Sequence, residues 1–422
     1  MNITIHRPTQ IGGQITCIAT NQSKIIIDLG HDLPNNNQCK DLYDDAEKIE
    51  QLTQGCSAIL YTHYHGDHVG LFHLVPPNIP QYIGKVAKQV MCRKYQQLCY
   101  LPDAHDYEKM LAVARGMNVF VEREPLVFGD IVVTPYFVSH SAYDAYMFLV
   151  EAEGRRILHT GDFRGHGYLS KGLLPTIKKY IGQVDVLITE GTMLGRTSET
   201  ILTEQDLSAQ ATSLMQQHKY VFVLCSSTDM ERLASFKNAN NKMRPHRPLL
   251  ADEYQKDVLK IFSDTAGEKT ACFDFGKVYV YSQNNQKLTN WMIDSGFTMF
   301  VRASSKFHQL LDSLLEQLPP QETPLFIYSI WEGYVTRPEN IKKEYLDLEN
   351  RFKKSVHLHT SGHATVAILK QVCEGLNPSM AIIPVHREAD TDFASLVGLT
   401  DKQSEKVLTH SNVINDINIQ FL

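Results

Sequence analysis

Four residues able to bind a metal or move a proton fall within six positions of one another: His63, His65, Asp67 and His68, in THYHGDH. They end an apolar run, AILYTH (58–63), that reads as a buried strand. Imidazole is a mediocre core group and an unpaired buried carboxylate a costly one, so a cationic partner is expected there, most simply a metal ion. From a tight loop His63 and His65 reach one ion, while Asp67 and His68 turn toward a neighbouring position. Zinc and manganese both accept such imidazole and carboxylate ligands. Two ions roughly 3.5–4 Å apart need about three protein ligands each and a bridge, which is more than this motif supplies. His140 in YFVSHS, Asp162 in HTGDF and His386 in IPVHRE complete the set. The expected arrangement puts His63, His65 and His140 on one ion, Asp67, His68 and His386 on the other, and Asp162 between them. Water held between two such ions is acid enough to act as hydroxide near neutral pH. A single histidine at a strand end is usually satisfied by hydrogen bonds; the H-x-H-x-D-H spacing sets this cluster apart.

The elements that must position these groups are short apolar runs. ITCIA (15–19), KIIIDLG (24–30), IVVTPYFVSH (131–140), AYMFLVEA (145–152), RRILHTGD (155–162) and VDVLITEG (184–191) read as strands, and KVAKQVMCRKYQQLC (85–99) as a helix. From about residue 200 strands and helices alternate more strictly. Helices are expected near 204–217, 228–238, 254–264, 305–318 and 338–352, and strands at YVFVLCSS (220–227) and PLFIYS (324–329). The chain closes with SVHLHTSGH (355–363), a helix, and MAIIPVHRE (380–388). His63, His140, Asp162, Glu190, His363 and His386 all stand at the ends of apolar runs. Strand ends converging on one cleft would hold side chains with the precision a site requires.

The 422 residues suffice for two hydrophobic cores, and a composition of 43% hydrophobic and 21% charged residues is that of an ordinary globular protein. A net charge of −6 gives no global reason to expect nucleic-acid binding, although a local basic groove can provide it. The N-terminus has no basic start followed by an apolar run, and no apolar stretch approaches the roughly 20 residues of a membrane helix, so no membrane partner is expected. Eight scattered cysteines without a CxxC fit reduced thiols and a cytoplasmic location.

THYHGDH, VSHS, HTGDF and PVH resemble the motifs of the metallo-β-lactamase superfamily, whose members are αββα sandwiches with a dinuclear site at one edge. ITEGT (188–192), LHTSGHA (358–364) and PVHRE (384–388) resemble the three further motifs of its β-CASP subgroup of RNA- and DNA-processing nucleases, closest to the bacterial ribonuclease J type. The resemblance implies an α/β fold: a metallo-β-lactamase sandwich from residues 1–195 and 355–422, with an α/β β-CASP domain inserted at 196–354. It departs from that type in reading EGT for EST or DST, PVHRE for PVHGE and IYSIWEGYVTRPEN (327–340) in place of a Gly-rich stretch, and in leaving no room for a further C-terminal domain.

The physical reading of the added motifs agrees with nuclease chemistry. Ser361, Gly362 and His363 would present backbone N–H groups to a phosphate at a helix N-terminus, with Gly362 allowing close approach. His363 would touch a phosphoryl oxygen or protonate the leaving oxygen, Glu190 would hold His363 protonated and oriented, and Asp67 would steer the attacking water. The implied function is a ribonuclease J-like phosphodiesterase, exo- or endonucleolytic, with two divalent ions (zinc or manganese). Its partner would be single-stranded RNA; DNA and a homo-oligomer stay open. A basic run, FKNANNKMRPHR (236–247), with Lys237, Lys242, Arg244 and Arg247, reads as a loop facing phosphates, and Lys353 and Lys354 lie near the return. Trp331 and Tyr334 are candidates for base stacking, with packing the plainer alternative. Two rivals remain: a metallo-hydrolase of a small ester, lactone or thioester, which would need neither Glu190 nor His363, and a non-catalytic RNA-binding relative.

Overall fold

The computed structural model describes residues 1–33, 45–102, 104–196, 199–282 and 284–422. They form two compact units, Met1–Glu199 with Gly362–Leu422, and Thr200–Ser361. Among the described residues no helix is long and apolar enough to cross a membrane.

The first unit holds two sheets. One has eight strands in the order Asn412–Ile414, Ile417–Phe421, Asn2–His6, Ile15–Ala19, Lys24–Ile27, Ala58–Leu60, Gln81–Gly84 and Asn118–Phe120. The other has six, in the order Ala381–Val385, Val186–Glu190, Arg155–His159, Ala145–Ala152, Ile131–Val138 and Leu126–Phe128. Period-two alternation sorts the side chains. Ile157, Ile188 and Ile383 enter the core between the sheets, against Ile3, Ile5, Ile25, Ile27 and Leu60. Their neighbours Leu158, Leu187 and Ile382 face the other way, onto a second core shared with Leu369, Val372 and Leu376 of the helix Val366–Leu376. A one-residue slip would exchange these two faces, so the register is firmly set. Arg155–His159, Val186–Glu190 and Ala381–Val385 are parallel neighbours, with Glu190 opposite Val385. Asp162, Glu190 and His386 therefore emerge at one edge of the sheet. This is the α/β sandwich of the metallo-β-lactamase class.

The second unit is a six-stranded parallel sheet, ordered Val278–Val280, Leu249–Ala251, Phe297–Val301, Tyr220–Cys225, Leu325–Ser329 and Lys354–His357. Near its centre the guanidinium of Arg232 is buried. Its Nε and Nη2 donate to Glu204 at 3.0 and 2.9 Å, Nη1 to Ser329 Oγ at 2.8 Å, and Nη2 to the Thr360 carbonyl at 2.8 Å. The Thr360 hydroxyl donates to the Leu202 carbonyl at 2.8 Å and accepts the Leu202 N–H at 3.1 Å, tying together the two ends of the unit.

The expected basic loop takes a different form. The helix Met230–Asn241 absorbs its first half. Lys237 is buried, its ammonium donating to the carbonyls of Cys272 and Asp274, and Arg247 donates to those of Met215 and His218. Both cations satisfy carbonyls left open at the ends of local elements and are not offered to phosphates. Lys353 and Lys354 are exposed. Trp331 and Tyr334 are partly buried, with the Arg337 guanidinium over the first and the Lys342 ammonium over the second.

Candidate metal centre

The site is built on the ends of two parallel strands. Asp28 follows Lys24–Ile27 in a left-handed conformation (φ 62°), and its carboxylate accepts the Thr62 N–H at 2.7 Å and the Thr62 hydroxyl at 2.8 Å. With its proton on Asp28, Thr62 Oγ1 accepts from His63 Nδ1 at 3.0 Å. That fixes the tautomer, so Nε2 of His63 carries a lone pair. This atom is buried and has no hydrogen-bond partner. Asp28 Oδ2 also accepts from His68 Nδ1 at 2.8 Å. The HGDH turn is clamped by the backbone of residues 29–31: Leu29 N–H donates to the His68 carbonyl at 2.7 Å and His31 N–H to that of Gly66 at 2.9 Å. The two segments run so close that a Cβ on Gly30 would lie 1.7 Å from the Asp67 carbonyl oxygen. Only glycine fits there.

Three further positions close around this turn. His140 Nε2 lies 3.2 Å from His65 Nδ1, and the other ring nitrogen of His140 donates to the Gly362 carbonyl at 2.7 Å. His386 Nε2 lies 3.1 Å from Asp67 Oδ2, and its Nδ1 sits 2.7 Å from the Thr192 hydroxyl. His386 holds φ at 50°, an uncommon value for a residue other than glycine and a strain that functional sites often carry. At the centre is Asp162 Oδ2, 3.1 Å from His68 Nε2, 3.9 Å from His386 Nε2 and 4.0 Å from His140 Nε2. Side-chain donor atoms of His63, His65 and His140 form one compact group and those of Asp67, His68 and His386 another; Asp162 groups with His63 and His68, and with His140 and His363.

The electrostatics suit cations. Burial and the neighbouring imidazoles press His63 and His140 well below the ordinary histidine range, and burial takes His65 down to about 4. Burial would also lower His68, but Asp162 and Asp28 on either side outweigh it and raise that ring well above its ordinary value. Burial would raise Asp67 and Asp162; the surrounding histidines outweigh it and hold both carboxyls below the usual range. Neutral imidazole lone pairs of His63, His65 and His140 thus face the same small region as the ionised Asp162, with His68 held charged between Asp28 and Asp162. These residues could hold divalent metal, and the orphaned Nε2 of His63 is the clearest sign.

Beside this cluster stands His363. Its Nδ1 is 2.9 Å from Glu190 Oε2 and 3.6 Å from Asp162 Oδ2, and its side chain is 21% exposed. Burial opposes its protonation, but Glu190 and Asp162 raise it above the ordinary histidine value. Glu190 is fully engaged: Oε1 accepts the N–H groups of Phe163 at 2.7 Å and Ala364 at 3.3 Å.

All seven expected metal ligands, with Glu190 and His363, thus lie within the first unit, grouped where strands of both its sheets end. The expected phosphate cradle differs. The helix starts at Val366, capped by Thr365, whose hydroxyl accepts the Ile368 N–H. Ser361, Gly362 and His363 precede that cap and do not form the helix N-terminus, and the Ala364 N–H is already taken by Glu190. Ser361 is buried and is the last residue of the second unit. Asp28, Thr62 and Thr192 went unread in the sequence, although an aspartate and a glycine closing KIIIDLG were a usable signal.

Residues 23–223 match the family described as the Beta-lactamase superfamily domain, so the chain carries such a domain, of the metallo-β-lactamase kind. It is similar to Ribonuclease J of Helicobacter pylori strain 26695 and of strain B128, in each case 24% identical over 159 residues. That match takes in 37% of this chain and spans only 22% of the length of those relatives. The low similarity supports the resemblance carried by the motifs. A solved protein of unknown function from Enterococcus faecalis V583 shares the fold, with a TM-score of 0.68 at 19% identity over 91% of this chain and 93% of its own.

Proposed function

We propose that this protein is a dinuclear-metal phosphodiesterase acting on single-stranded RNA, with a β-CASP domain in the second unit. The observation that carries the reading is the Glu190–His363 pair beside Asp162. A hydrolase of lactones or small esters needs the metal cluster alone, whereas an oriented, partly exposed imidazolium at its rim suits a phosphodiester, whose leaving alkoxide needs a proton. Two divalent cations, zinc or manganese, held by His63, His65 and His140 and by Asp67, His68 and His386 with Asp162 between, would supply Lewis acidity to the phosphoryl oxygens and acidify water.

The chain's own residues do the rest. Glu190 binds His363 at Nδ1, which turns Nε2–H outward to a phosphoryl or leaving oxygen. Asp67, with 15% of its side chain exposed, orients the attacking water. Asp28 and Thr192 hold the rings of His68 and His386 so that Nε2 of each faces inward. The partial likeness to Ribonuclease J favours RNA over DNA.

The test incubates zinc- or manganese-loaded protein with labelled RNA bearing 5′-monophosphate, 5′-hydroxyl or 5′-triphosphate ends, alongside single-stranded DNA. RNA cleavage is expected, and His363→Ala should slow it about 100- to 10,000-fold with metal content unchanged. Failure to cut any nucleic acid with either metal would overturn the proposal, as would an ester hydrolase activity indifferent to His363→Ala.

A further inference from the structure

We infer that Gly362 is a positioning residue for the metal centre, and that its lack of a side chain is required by Ser141. The inference rests on the reading of His140 as a ligand. A carbonyl oxygen can only accept, so the 2.7 Å contact places the His140 proton on Nδ1 and leaves Nε2 bare toward His65 and Asp162. With the opposite tautomer His140 could not serve a cation on that side. The second observation concerns space. A Cβ on Gly362 would lie 2.4 Å from Ser141 Oγ and 2.7 Å from Ser141 Cβ, the residue next to the ligand itself. The side of the backbone on which a ligand was expected to approach Gly362 is filled by Ser141. Any side chain at 362 must push the carbonyl away from His140 or push residues 140–141 away from the cluster.

The same short segment continues into His363, held by Glu190, and Ala364 N–H, which also donates to Glu190. Gly362 thereby joins the segment carrying the proton donor to a ligand of the cluster through one hydrogen bond. A change at 362 is expected to act on metal affinity first and on turnover as a consequence.

The test is apparent zinc affinity, measured by competition with a chromogenic chelator, on wild type, Gly362→Ala and the double variant Gly362→Ala/Ser141→Gly. The visible spectrum of each cobalt-loaded protein is recorded alongside. Loss of a partner that orients a ligand weakens metal binding by about 10- to 100-fold, and that loss is expected for Gly362→Ala, with an altered cobalt spectrum. The double variant frees the space at 141, so at least about tenfold of the affinity and the wild-type spectrum should return. Melting curves of the metal-free proteins separate this from general unfolding: recovery of affinity without a change in the metal-free melt supports positioning. Wild-type affinity in Gly362→Ala overturns the inference and leaves the proposed function standing. So does a double variant that folds normally but binds no better than the single one. A wild-type protein that binds no divalent cation overturns both.

Discussion

The two units bury charge in opposite ways. In the second, Arg232 and Glu204 are 1% and 0% exposed, and the guanidinium spends its donors on a carboxylate, a hydroxyl and a carbonyl. That network is closed, since protein groups answer each other. In the first, His63, His65, His140, His386, Asp67 and Asp162 present acceptor after acceptor to one small region, and His63 Nε2 has no partner at all. A buried polar network that omits its counter-charge is unstable unless something from outside completes it. The difference between the two clusters lies here in the balance of donors and acceptors, since most members of both are buried.

The comparison can be broken at its stronger end first. Asp162→Asn removes the central negative charge, and we expect loss of bound cation together with a fall in phosphodiester hydrolysis of at least about 1,000-fold. Metal content by elemental analysis and single-turnover rates would show it, and unchanged metal content would contradict the centrality given to Asp162. In the second unit, Glu204→Ala leaves the Arg232 cation buried without its carboxylate, which should cost about 3–5 kcal/mol in urea unfolding. Metal content should stay at its wild-type level. Replacing both partners together, Arg232→Met with Glu204→Leu, should cost less than the single change; an equal or larger cost would mean the network is worth more than a packed apolar substitute.

A finer probe is Thr192→Val, which keeps the shape beside His386 and removes the hydroxyl facing Nδ1. Metal affinity should fall about 10-fold to 100-fold, and a wild-type value in chelator competition would show that the ring needs no such partner. The smallest effect sharpens the comparison with a third case, a histidine buried neutral and away from the cluster. Burial, with Arg7 and Lys24 adding to it, lowers His6 from 6.5 to about 4. In that window the unfolded chain binds a proton the folded one refuses. Stability from His6 is therefore complete above pH 6.5 and falls with acidification, by about 1.4 kcal/mol per unit until the folded value is reached. Metal-free His6→Gln should show a shallower acid limb than wild type in unfolding experiments across pH 6.5 to 4; superimposable limbs would sink the assignment.

Much of this was legible in the sequence where one pattern dominated. The helices at 204–217 and 85–98 and the strand at 145–152 fall where periodicity put them. The candidate metal ligands could be listed because histidine and aspartate at strand ends are chemically conspicuous. What stayed hidden is instructive. Leu249–Ala251 and Val278–Val280 are too short to show a period, and Phe297–Val301 is a mostly apolar run whose strand state shows only in its pairing between Leu249–Ala251 and Tyr220–Cys225. The basic run at 236–247 looked like a phosphate surface because charge is visible in sequence and burial is not; Lys237 and Arg247 turn inward to cap carbonyls. Asp28, Thr62 and Thr192 are ordinary letters whose importance comes only from which ring nitrogen they face.

The Thr360–Leu202 contact has a consequence for how the chain matures. Strand Val186–Glu190 must pair with Ala381–Val385, and about 190 residues of chain lie between them, so the first unit cannot finish its sheet until the second has been synthesised. Once Leu202 and Thr360 are joined, the span left to close shrinks to about 35 residues, a gain of roughly 1.5 kcal/mol in closure entropy. By loop-closure entropy alone, order in residues 202–360 lowers the cost of bringing Ala381–Val385, and His386 just after it, back to Val186–Glu190.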